Sequence, residues 1–324
     1  RFYDMASRAV AIKGSEKSED NSLTTGLCLI TDNTIEKGGV VFQSSPAISV
    51  HGAFRTIISH NLIHDFSWSG IVVGGYGALY NNVEYNHIYN LGKGVLSDMG
   101  GIYVNGAQPG LEIRGNKIHD IKCAVYGANC IYIDDWMTLA LVEKNLCYNT
   151  NTDLINVKGS ENIIRNNILA FGDKGCIKRG SVSTEGGTFV ANFERNIMVS
   201  RNASFYRTGY NLDIYDPIWN SDFNLLWNYT GQNFTCEQQI KGKINKVIRL
   251  EQWIKIRGND QNSIITDPLF ENAEAYDFRL KNNSPVYKLG FEKIEFSKVG
   301  PRPENERGLL YNTGINYETK SLAD

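Results

Sequence analysis

Asparagine recurs at regular intervals along the chain, each time followed two residues later by an apolar or sulfur-containing side chain. Successive copies are separated by 28, 25, 30, 29, 21, 30 and 28 residues. A glycine- or asparagine-rich turn follows most copies, and then comes a short segment in which apolar residues alternate with variable ones. That alternation is typical of a strand with one buried face. The recurring asparagines are Asn33, Asn61, Asn86, Asn116, Asn145, Asn166, Asn196 and Asn224.

The repeat predicts an all-β fold, a right-handed parallel β-helix. A unit of 21 to 30 residues cannot bury its apolar edge alone, so successive units must stack as coils. Leucine-rich repeats have a similar period but need a regular leucine spacing, which this chain lacks. The second strands of the coils are predicted at 39–42, 70–73, 101–104, 130–133, 154–157 and 176–179. We expect Ile71, Ile102, Ile131 and Ile155 to form one interior file, and the asparagines to form an internal ladder.

The repeat weakens after about residue 226, which suggests three regions. Residues 1–226 are predicted to form the β-helix coils, with a charged loop inserted at 15–22. Residues 227–300 are predicted to form a C-terminal cap with edge strands and one short amphipathic helix at 250–254. A cap is expected because the open end of a β-helix exposes unpaired backbone groups. Residues 301–324 are predicted to be a loose tail.

Composition excludes several classes of protein. The 324 residues include 33 lysines and arginines and 35 aspartates and glutamates, so the net charge of −2 argues against a nucleic-acid partner. No run of 18 apolar residues occurs, so membrane insertion is not expected. The six cysteines form no CxxC pair and their spacing selects no pairing, so we expect neither a metal site nor another cofactor. The 34 asparagines and 31 glycines are typical of short strands joined by tight turns.

The chain begins at Arg1 without an apolar leader. We therefore expect that a leader has been removed or that the chain is part of a longer protein, with a missing N-terminal segment or a companion chain. Asn202, Asn228 and Asn233 lie in N-x-Ser/Thr sequons and are candidate glycosylation sites. A fourth sequon at Asn282 is followed by Pro285 and is a poor acceptor. Chance alone would give about four sequons at this composition, so they do not by themselves indicate secretion.

Stacked coils place equivalent outward side chains in columns, with neighbours about 4.8 Å apart. Two neighbouring columns are predicted on one face, and together they resemble the floor of a sugar-binding groove. Flat tyrosine rings receive the apolar faces of sugars, while carboxylates and amides bind hydroxyl groups. One column is Gly74, Asn105, Asp134, Lys158 and Gly180; the other is Val72, Tyr103, Tyr132, Asn156 and Lys178. The predicted substrate-binding residues are Tyr103, Asn105, Tyr132, Asn156 and Lys158.

Asp98, Asp134 and Asp135 are the candidate catalytic residues. Glycoside hydrolysis uses two carboxyl groups, about 5 Å apart in retaining enzymes and about 6.5–9.5 Å apart in inverting ones. A straight strand would place Asp98 about 23 Å from Asp134, so the two meet only if the chain bends at Gly100-Gly101. Without that bend, Asp98 is a turn residue and the Asp134-Asp135 pair merely ends a strand. Two His-Asp pairs, 64–65 and 119–120, occupy one place in two coils and are interpreted as turn devices.

Several of these segments resemble a known family. Residues 97–103, 109–120, 131–135 and 161–168, with 253–291 downstream, resemble the right-handed parallel β-helix repeat carbohydrate-active proteins. The greatest similarity is to the α-L-fucosidase/xylanase-type glycoside hydrolases, and β-helix α-galactosidases and β-xylosidases are more distantly similar. The resemblance covers most of residues 30–300. It implies that Asp98, with either Asp134 or Asp135, matches the family's carboxylate pair.

The resemblance and the residues leave three functions open. The first is an extracellular glycosidase acting on an oligo- or polysaccharide, with Asp98 as proton donor, Lys158 holding Asp134 ionised, and Asp135 positioning substrate or water. The second is a non-catalytic glycan-binding or structural glycoprotein in an extracellular assembly. It is favoured because residues 156–159 and 188–191 depart from the histidine-rich segments of relatives. The third is a polysaccharide lyase using Lys158, Lys178 or Arg179, although no acidic calcium cluster accompanies them.

Overall fold

Short strands from successive coils stack into three long parallel sheets. The computed structural model describes residues 1–14, 25–75, 77–180, 191–208, 219–231, 235–240 and 243–307, so the predicted loop at 15–22 lies outside the described residues. Most coils contribute one strand to each of sheets A, B and C in turn, and each strand pairs with its equivalents in the coils before and after. The connections wind the chain into a right-handed parallel β-helix.

The strand bounds within the described residues are as follows. Sheet A comprises Phe2–Tyr3, Thr34–Glu36, Leu62–His64, His87–Leu91, Lys117–Ile121, Leu146–Thr150, Ile168–Gly172, Ile197–Ser200, Leu225–Asn228 and Ile264–Ile265. Sheet B comprises Val10–Lys13, Ile48–His51, Ile71–Gly74, Met99–Val104, Ala128–Ile133, Asp153–Val157, Gly175–Arg179, Ser204–Thr208, Thr235–Ile240 and Lys243–Arg249, of which the last two are antiparallel. Sheet C comprises Leu29–Thr31, Ile57–Ser59, Asn82–Glu84, Glu112–Arg114, Leu141–Glu143, Asn162–Arg165, Ala191–Glu194 and Trp219–Asp222.

The interior file of isoleucines is confirmed. Each isoleucine pairs in register with the next along sheet B, and their exposed fractions are 0–1 %. Burying one such side chain stabilises the fold by about 1.5–3 kcal/mol, so the file contributes a large share of the core. Its members in coil order are Ile48, Ile71, Ile102, Ile131, Ile155 and Ile177.

The strand predicted at residues 39–42 is wrong. These residues form a turn whose side chains Val40, Val41 and Phe42 are 56 %, 67 % and 63 % exposed. The sheet B strand of this coil is Ile48–His51. Gly39 explains the difference, because its φ of 66° is a left-handed conformation that a strand cannot contain.

The asparagine ladder is confirmed, with one change of membership. Side-chain amides of successive coils donate to one another's carbonyl oxygens at 2.9–3.2 Å, and all members except Asn33 are buried. Asn166 was predicted as a member, but the ladder residue is its neighbour Asn167. Both fit the repeat, and the pairing of Cys147 with Leu169 places Asn167 opposite Asn145.

A left-handed residue precedes every ladder asparagine and turns the corner from sheet C to sheet A. The φ angles of these eight corner residues lie between 54° and 64°, although seven of the residues are not glycine. Non-glycine residues seldom adopt this conformation, and here the ladder bonds of the next residue hold it in place. The corner residues are Asp32, His60, Tyr85, Gly115, Lys144, Asn166, Arg195 and Phe223.

The C-terminal region caps the stack and covers part of its outside. The predicted helix is present as Leu250–Arg257, with Trp253 buried and stacked 5.5 Å from the Tyr206 ring. The predicted edge strands pair as the antiparallel Phe270–Asn272 and Asp277–Leu280. Together with short 3₁₀ helices, they form a second apolar cluster against the outer face of sheet A. The 3₁₀ helices are Ala273–Ala275, Pro285–Leu289, Phe296–Lys298 and Glu304–Glu306.

Residues 290–302 form a strap that runs back along the corner residues towards the first coils. The described part of the segment expected to be loose, residues 301–307, is therefore attached at its start, and residues 308–324 lie outside the described residues. Because the strap contacts coils far apart in the stack, we expect it to stabilise their packing on one another. Its contacts in order are Glu292 with Asn166, Gly300 with Tyr85, and Arg302 with Asp32.

Removing the last strap contact should destabilise the protein in a pH-dependent way. Arg302 Nη2 lies 2.5 Å from Asp32 Oδ2, and their side chains are 15 % and 8 % exposed. Burial raises the pKa of Asp32, but hydrogen bonds from Arg302 and Thr31 outweigh it and lower the pKa to about 2. A lowered folded-state pKa stabilises the protein above the unfolded value of about 3.9, and this stabilisation is lost as the pH falls towards 2. Arg302→Met should therefore lower the free energy of unfolding by about 1–3 kcal/mol at pH 7.

Urea unfolding at a series of pH values tests this expectation. The difference between Arg302→Met and the wild type should shrink between about pH 5 and pH 2. Lys293→Met is the control, because Lys293 lies in the same strap and its ion pair with Glu295 is exposed. Equal losses in the two variants, or a loss that does not change with pH, would contradict the expectation.

All six cysteines are free thiols, and five of them are buried. Within the described part of the chain, no helix has the length and apolar character needed to cross a membrane.

Candidate active site

The two predicted columns are present on the outer face of sheet B. Strand register places the members of the first column opposite one another in successive coils. The second column follows at the strand ends, where backbone hydrogen bonds of 2.8–3.2 Å continue the pairing. The first column is Val72, Tyr103, Tyr132, Asn156, Lys178 and Arg207, and the second is Gly74, Asn105, Asp134, Lys158 and Gly180.

The predicted bend at Gly100-Gly101 is present. A Cβ on Gly101 would point inward, 2.4 Å from Ile118 Cγ2, and the next residue, Ile102, is also fully buried. Two consecutive inward residues break the alternation of a straight strand, so the chain turns at this point. The bend brings the Asp98 carboxyl close enough to Asp134 for the two charges to interact.

Asp134 is in direct contact with an ammonium and a hydroxyl group. Lys158 Nζ is 2.5 Å from Asp134 Oδ1 and 3.3 Å from Asp135 Oδ1, and the Tyr103 hydroxyl donates to Asp134 Oδ2. Burial lowers the pKa of Lys158, but the hydrogen bonds and charges of the two aspartates outweigh it and raise the pKa. Lys158 therefore stays charged, and its ammonium stabilises the neighbouring carboxylate.

Asp98 lies in surroundings that favour its protonated form. It is half-buried in the turn before its strand, at a φ of 58°, and the Trp68 indole donates to its carbonyl oxygen at 3.0 Å. Burial raises the pKa of the Asp98 carboxyl, and the charge of Asp134 raises it further. Lys158 and a hydrogen bond from the Tyr132 hydroxyl oppose this rise without cancelling it.

The site therefore holds two carboxyl groups in different surroundings. Burial and the charge of Asp134 raise the pKa of the Asp98 carboxyl, whereas Asp134 is in direct contact with an ammonium and a hydroxyl group. Pairs of carboxyl groups separated in this way are the usual arrangement for acid and base roles in one reaction. Among the described residues, no group of three or more His, Cys, Asp or Glu side chains is placed to hold a metal ion.

The tyrosines do not present their rings as predicted. Tyr132 is only 4 % exposed, and its hydroxyl is bonded to Asp98. The Tyr103 ring lies edge-on to the Tyr132 ring at 5.0 Å, and its hydroxyl holds Asp134. Both side chains are thus occupied in positioning carboxyl groups rather than offering a flat surface to a sugar.

Sequence reasoning assigned no role to Trp136, which is the exposed aromatic of the site. Its side chain is 62 % exposed, and its φ of 69° is rare for a bulky residue. It borders an open cavity of about 510 Å³ above the carboxylates. The available signal was its position directly after two aspartates at a strand end. The cavity is lined by His51, Gly75, Asn105, Gly106, Ala107, Asp134, Asp135, Trp136 and Thr138.

The two asparagines predicted to bind substrate, Asn105 and Asn156, differ in how deeply they are buried. Asn105 lines the cavity, and its Oδ1 fills the space above Gly74, where a Cβ would lie 2.1 Å away. Asn156 is 4 % exposed, and its buried Oδ1 accepts no hydrogen bond from another described residue. Their roles in substrate binding stay predictions.

The two His-Asp pairs are turn devices, as predicted. Nδ1 of His64 lies 2.6 Å from Asp65, and Nδ1 of His119 lies 2.7 Å from Asp120. Both aspartates have left-handed φ angles, 64° for Asp65 directly after its sheet A strand and 56° for Asp120 near the end of its strand.

The sequons differ in accessibility. Asn202 is exposed. Asn228 is 8 % exposed and its side chain hydrogen-bonds with Asn202 and Thr230, so the expectation of a glycan there is corrected: its amide is not presented as an acceptor. Asn233 lies outside the described residues.

Comparison with known proteins gives fold-level similarity only. No family model and no curated protein matches the chain. An alginate lyase from Paenibacillus sp. str. FPU-7 is similar over 67 % of this chain and 74 % of its own, with 18 % identity and a TM-score of 0.46. XylC in complex with xylose is similar over 59 % of this chain and 38 % of its own, with 15 % identity and a TM-score of 0.33. Similarity at this level says nothing about the reaction, and the fold rests on the strand pairings.

Proposed function

We propose that this protein is an extracellular glycoside hydrolase whose polysaccharide substrate lies across the strands of sheet B. Asp98 donates its proton to the glycosidic oxygen as the bond breaks. Asp134 acts on the anomeric carbon, either directly or by activating a water molecule. Asp135 shares Lys158 with Asp134 and positions the substrate or that water.

The contrast between the two carboxyl groups is the observation that supports this proposal. Hydrolysis needs one protonated and one ionised carboxyl group at the same time. Burial and a neighbouring charge raise the pKa of Asp98, while Lys158 and Tyr103 hold the other carboxylate by direct contacts. A protein that only binds a glycan would not need one carboxyl group with a raised pKa beside another held by an ammonium.

A polysaccharide lyase is the second candidate, favoured by Lys178. Burial lowers the pKa of this lysine, and a lysine with a lowered pKa is suited to abstract a proton. It lies two strands along the first column from Tyr132.

Product analysis on a panel of polysaccharides separates the candidates. The wild-type protein is incubated with arabinoxylan, glucuronoxylan, xyloglucan, polygalacturonate and alginate. New reducing ends without an unsaturated sugar are expected and support hydrolysis. Ultraviolet absorbance from a new carbon–carbon double bond would support the lyase instead. Binding without any product would overturn both and favour a non-catalytic glycan-binding protein.

Trp136→Ala should weaken substrate binding with little effect on the chemical step. The exposed indole lines the same cavity as the carboxylates, and stacking on an aromatic ring is worth about 0.5–1.5 kcal/mol. KM should rise about two- to tenfold while kcat changes little. Leu139→Ala is the control, because Leu139 lies in the same loop and is also exposed, at 50 %, but its side chain is aliphatic. A fall in kcat with unchanged KM would contradict this role.

A further inference from the structure

Positive charge accumulates on the sheet B face beyond the carboxylates. Lys158 directly follows the strand Asp153–Val157, and Lys178 and Arg207 lie in the next two strands towards the C-terminal cap. Lys158 is neutralised by Asp134 and Asp135. The charge state of the other two positions decides what this part of the face attracts.

Arg207 is neutralised within the protein. Its Nη1 lies 2.9 and 2.8 Å from the two oxygens of Asp153, and their side chains are 8 % and 3 % exposed. The guanidinium reaches Asp153 across Gly175, where a Cβ would lie 2.8 Å from both Arg207 Cδ and Asp153 Oδ1. This buried pair uses the carboxylate of Asp153, which is therefore not available to Lys178.

Lys178 is left without a counter-charge of its own. Among the described residues, its ammonium makes no hydrogen bond or ion pair, although the side chain is half-buried. Burial lowers its pKa; Asp153 opposes this, and Arg207, Lys174 and Lys158 add to it. A half-buried cation among other cations is stabilised by a bound anion.

Asn156 supplies a neutral partner beside this lysine. The two residues are directly opposite in adjacent strands, so their side chains are about 4.8 Å apart at the backbone. Asn156 is 4 % exposed, and its Oδ1 accepts no hydrogen bond from a described residue. A buried acceptor of this kind is costly unless a ligand donates to it, and a sugar hydroxyl is a suitable donor.

We infer that Lys178 and Asn156 form a subsite for an anionic sugar unit, with Lys178 binding a carboxylate or sulfate group and Asn156 a hydroxyl group. The inference rests on the proposed function and deepens it, because Asn156 lies one strand spacing and Lys178 two strand spacings, or about 10 Å, beyond the strand that ends at Asp134 on the same face. The polymer cleaved is therefore acidic.

Binding measurements test the subsite independently of catalysis. Titration calorimetry compares polygalacturonate and glucuronoxylan with the same polymers after carboxyl reduction, and a sulfated galactan with its desulfated form. The wild type should bind at least one acidic polymer about tenfold or more tightly than its neutral form. Lys178→Met should lose that preference, Lys178→Arg should retain much of it, and Lys281→Met should retain all of it. Lys281 is an exposed lysine of the cap, so its variant controls for the change in net charge.

The outcomes separate this inference from the proposed function. Lys178-dependent binding of an acidic polymer without hydrolysis would uphold the subsite and refute the hydrolase. Equal binding of acidic and neutral forms, no binding of any acidic polymer, or an unchanged preference in a folded Lys178→Met variant would each overturn the subsite. Preference for the carboxylated or the sulfated polymer identifies the anionic group.

Discussion

Asp134→Asn should reduce kcat on the polysaccharide that the product screen identifies by about 10²–10⁴-fold, and Asp98→Asn should do the same. The first variant removes the carboxylate that Lys158 and Tyr103 hold in place. The second removes the carboxyl group whose pKa burial and the charge of Asp134 raise. KM should change little, because each group acts mainly as the glycosidic bond breaks.

Both variants should keep the fold, so the loss can be assigned to chemistry. Asp98 has a φ of 58°, a conformation that asparagine tolerates well, and Asn at 134 still accepts from Tyr103. Asp120→Asn is the matched control, since Asp120 is also a left-handed aspartate but lies in a strand of sheet A rather than at the sheet B site. Full activity in both Asp98→Asn and Asp134→Asn would remove the proposed mechanism.

The pH profile shows whether Asp98 acts as the acid. Activity should fall as the pH rises through the raised pKa of Asp98, because the proton donor is then lost. The hydrogen bond from Tyr132 lowers that pKa, so Tyr132→Phe should raise it and move the alkaline limb of kcat to higher pH. A limb that moves to lower pH in this variant would rule out Asp98 as the group observed.

Asn167→Ala should strongly destabilise the protein, with a loss of about 3 kcal/mol or more. Asn167 is fully buried, and its Oδ1 accepts from both the backbone nitrogen and the side-chain amide of Asn145. Its own amide donates to Val142, Arg165 and Asn196. Alanine leaves buried donors and acceptors on both neighbouring coils without partners, and each costs about 1–3 kcal/mol.

The adjacent asparagine provides the control. Asn166 has a φ of 54°, and among the residues that the structure describes its side chain hydrogen-bonds only with Glu292 of the strap. Glycine suits that backbone, so Asn166→Gly should cost about 1 kcal/mol, mainly from the lost strap contact. Urea unfolding of both variants measures the difference. Equal losses at the two positions would contradict the ladder assignment.

The alternation of apolar and variable residues within each strand was sufficient to predict the interior file of isoleucines and the outward columns. Apolar residues at every second position can lie on only one face of a strand, so Ile102 and Ile131 are inward and Tyr103 and Tyr132 are outward by necessity. The asparagine repeat likewise predicted where each coil turns. Even the bend at Gly100-Gly101 was foreseeable, because two glycines tolerate the close contacts that a side chain would not.

What the sequence by itself determined is therefore the β-helix, its inward and outward faces, and the column that contains Asp134 and Lys158. Only the tertiary structure decided which of Asn166 and Asn167 enters the ladder, since both fit the repeat and the register with the neighbouring coil selects one. It also decided that residues 39–42 form a turn, that the tyrosine hydroxyls hold Asp98 and Asp134, and that Arg207 reaches Asp153 across Gly175. The physical reason is that strand periodicity is local, whereas these contacts join different coils, and loops of unequal length conceal from the sequence which residues the coils bring together.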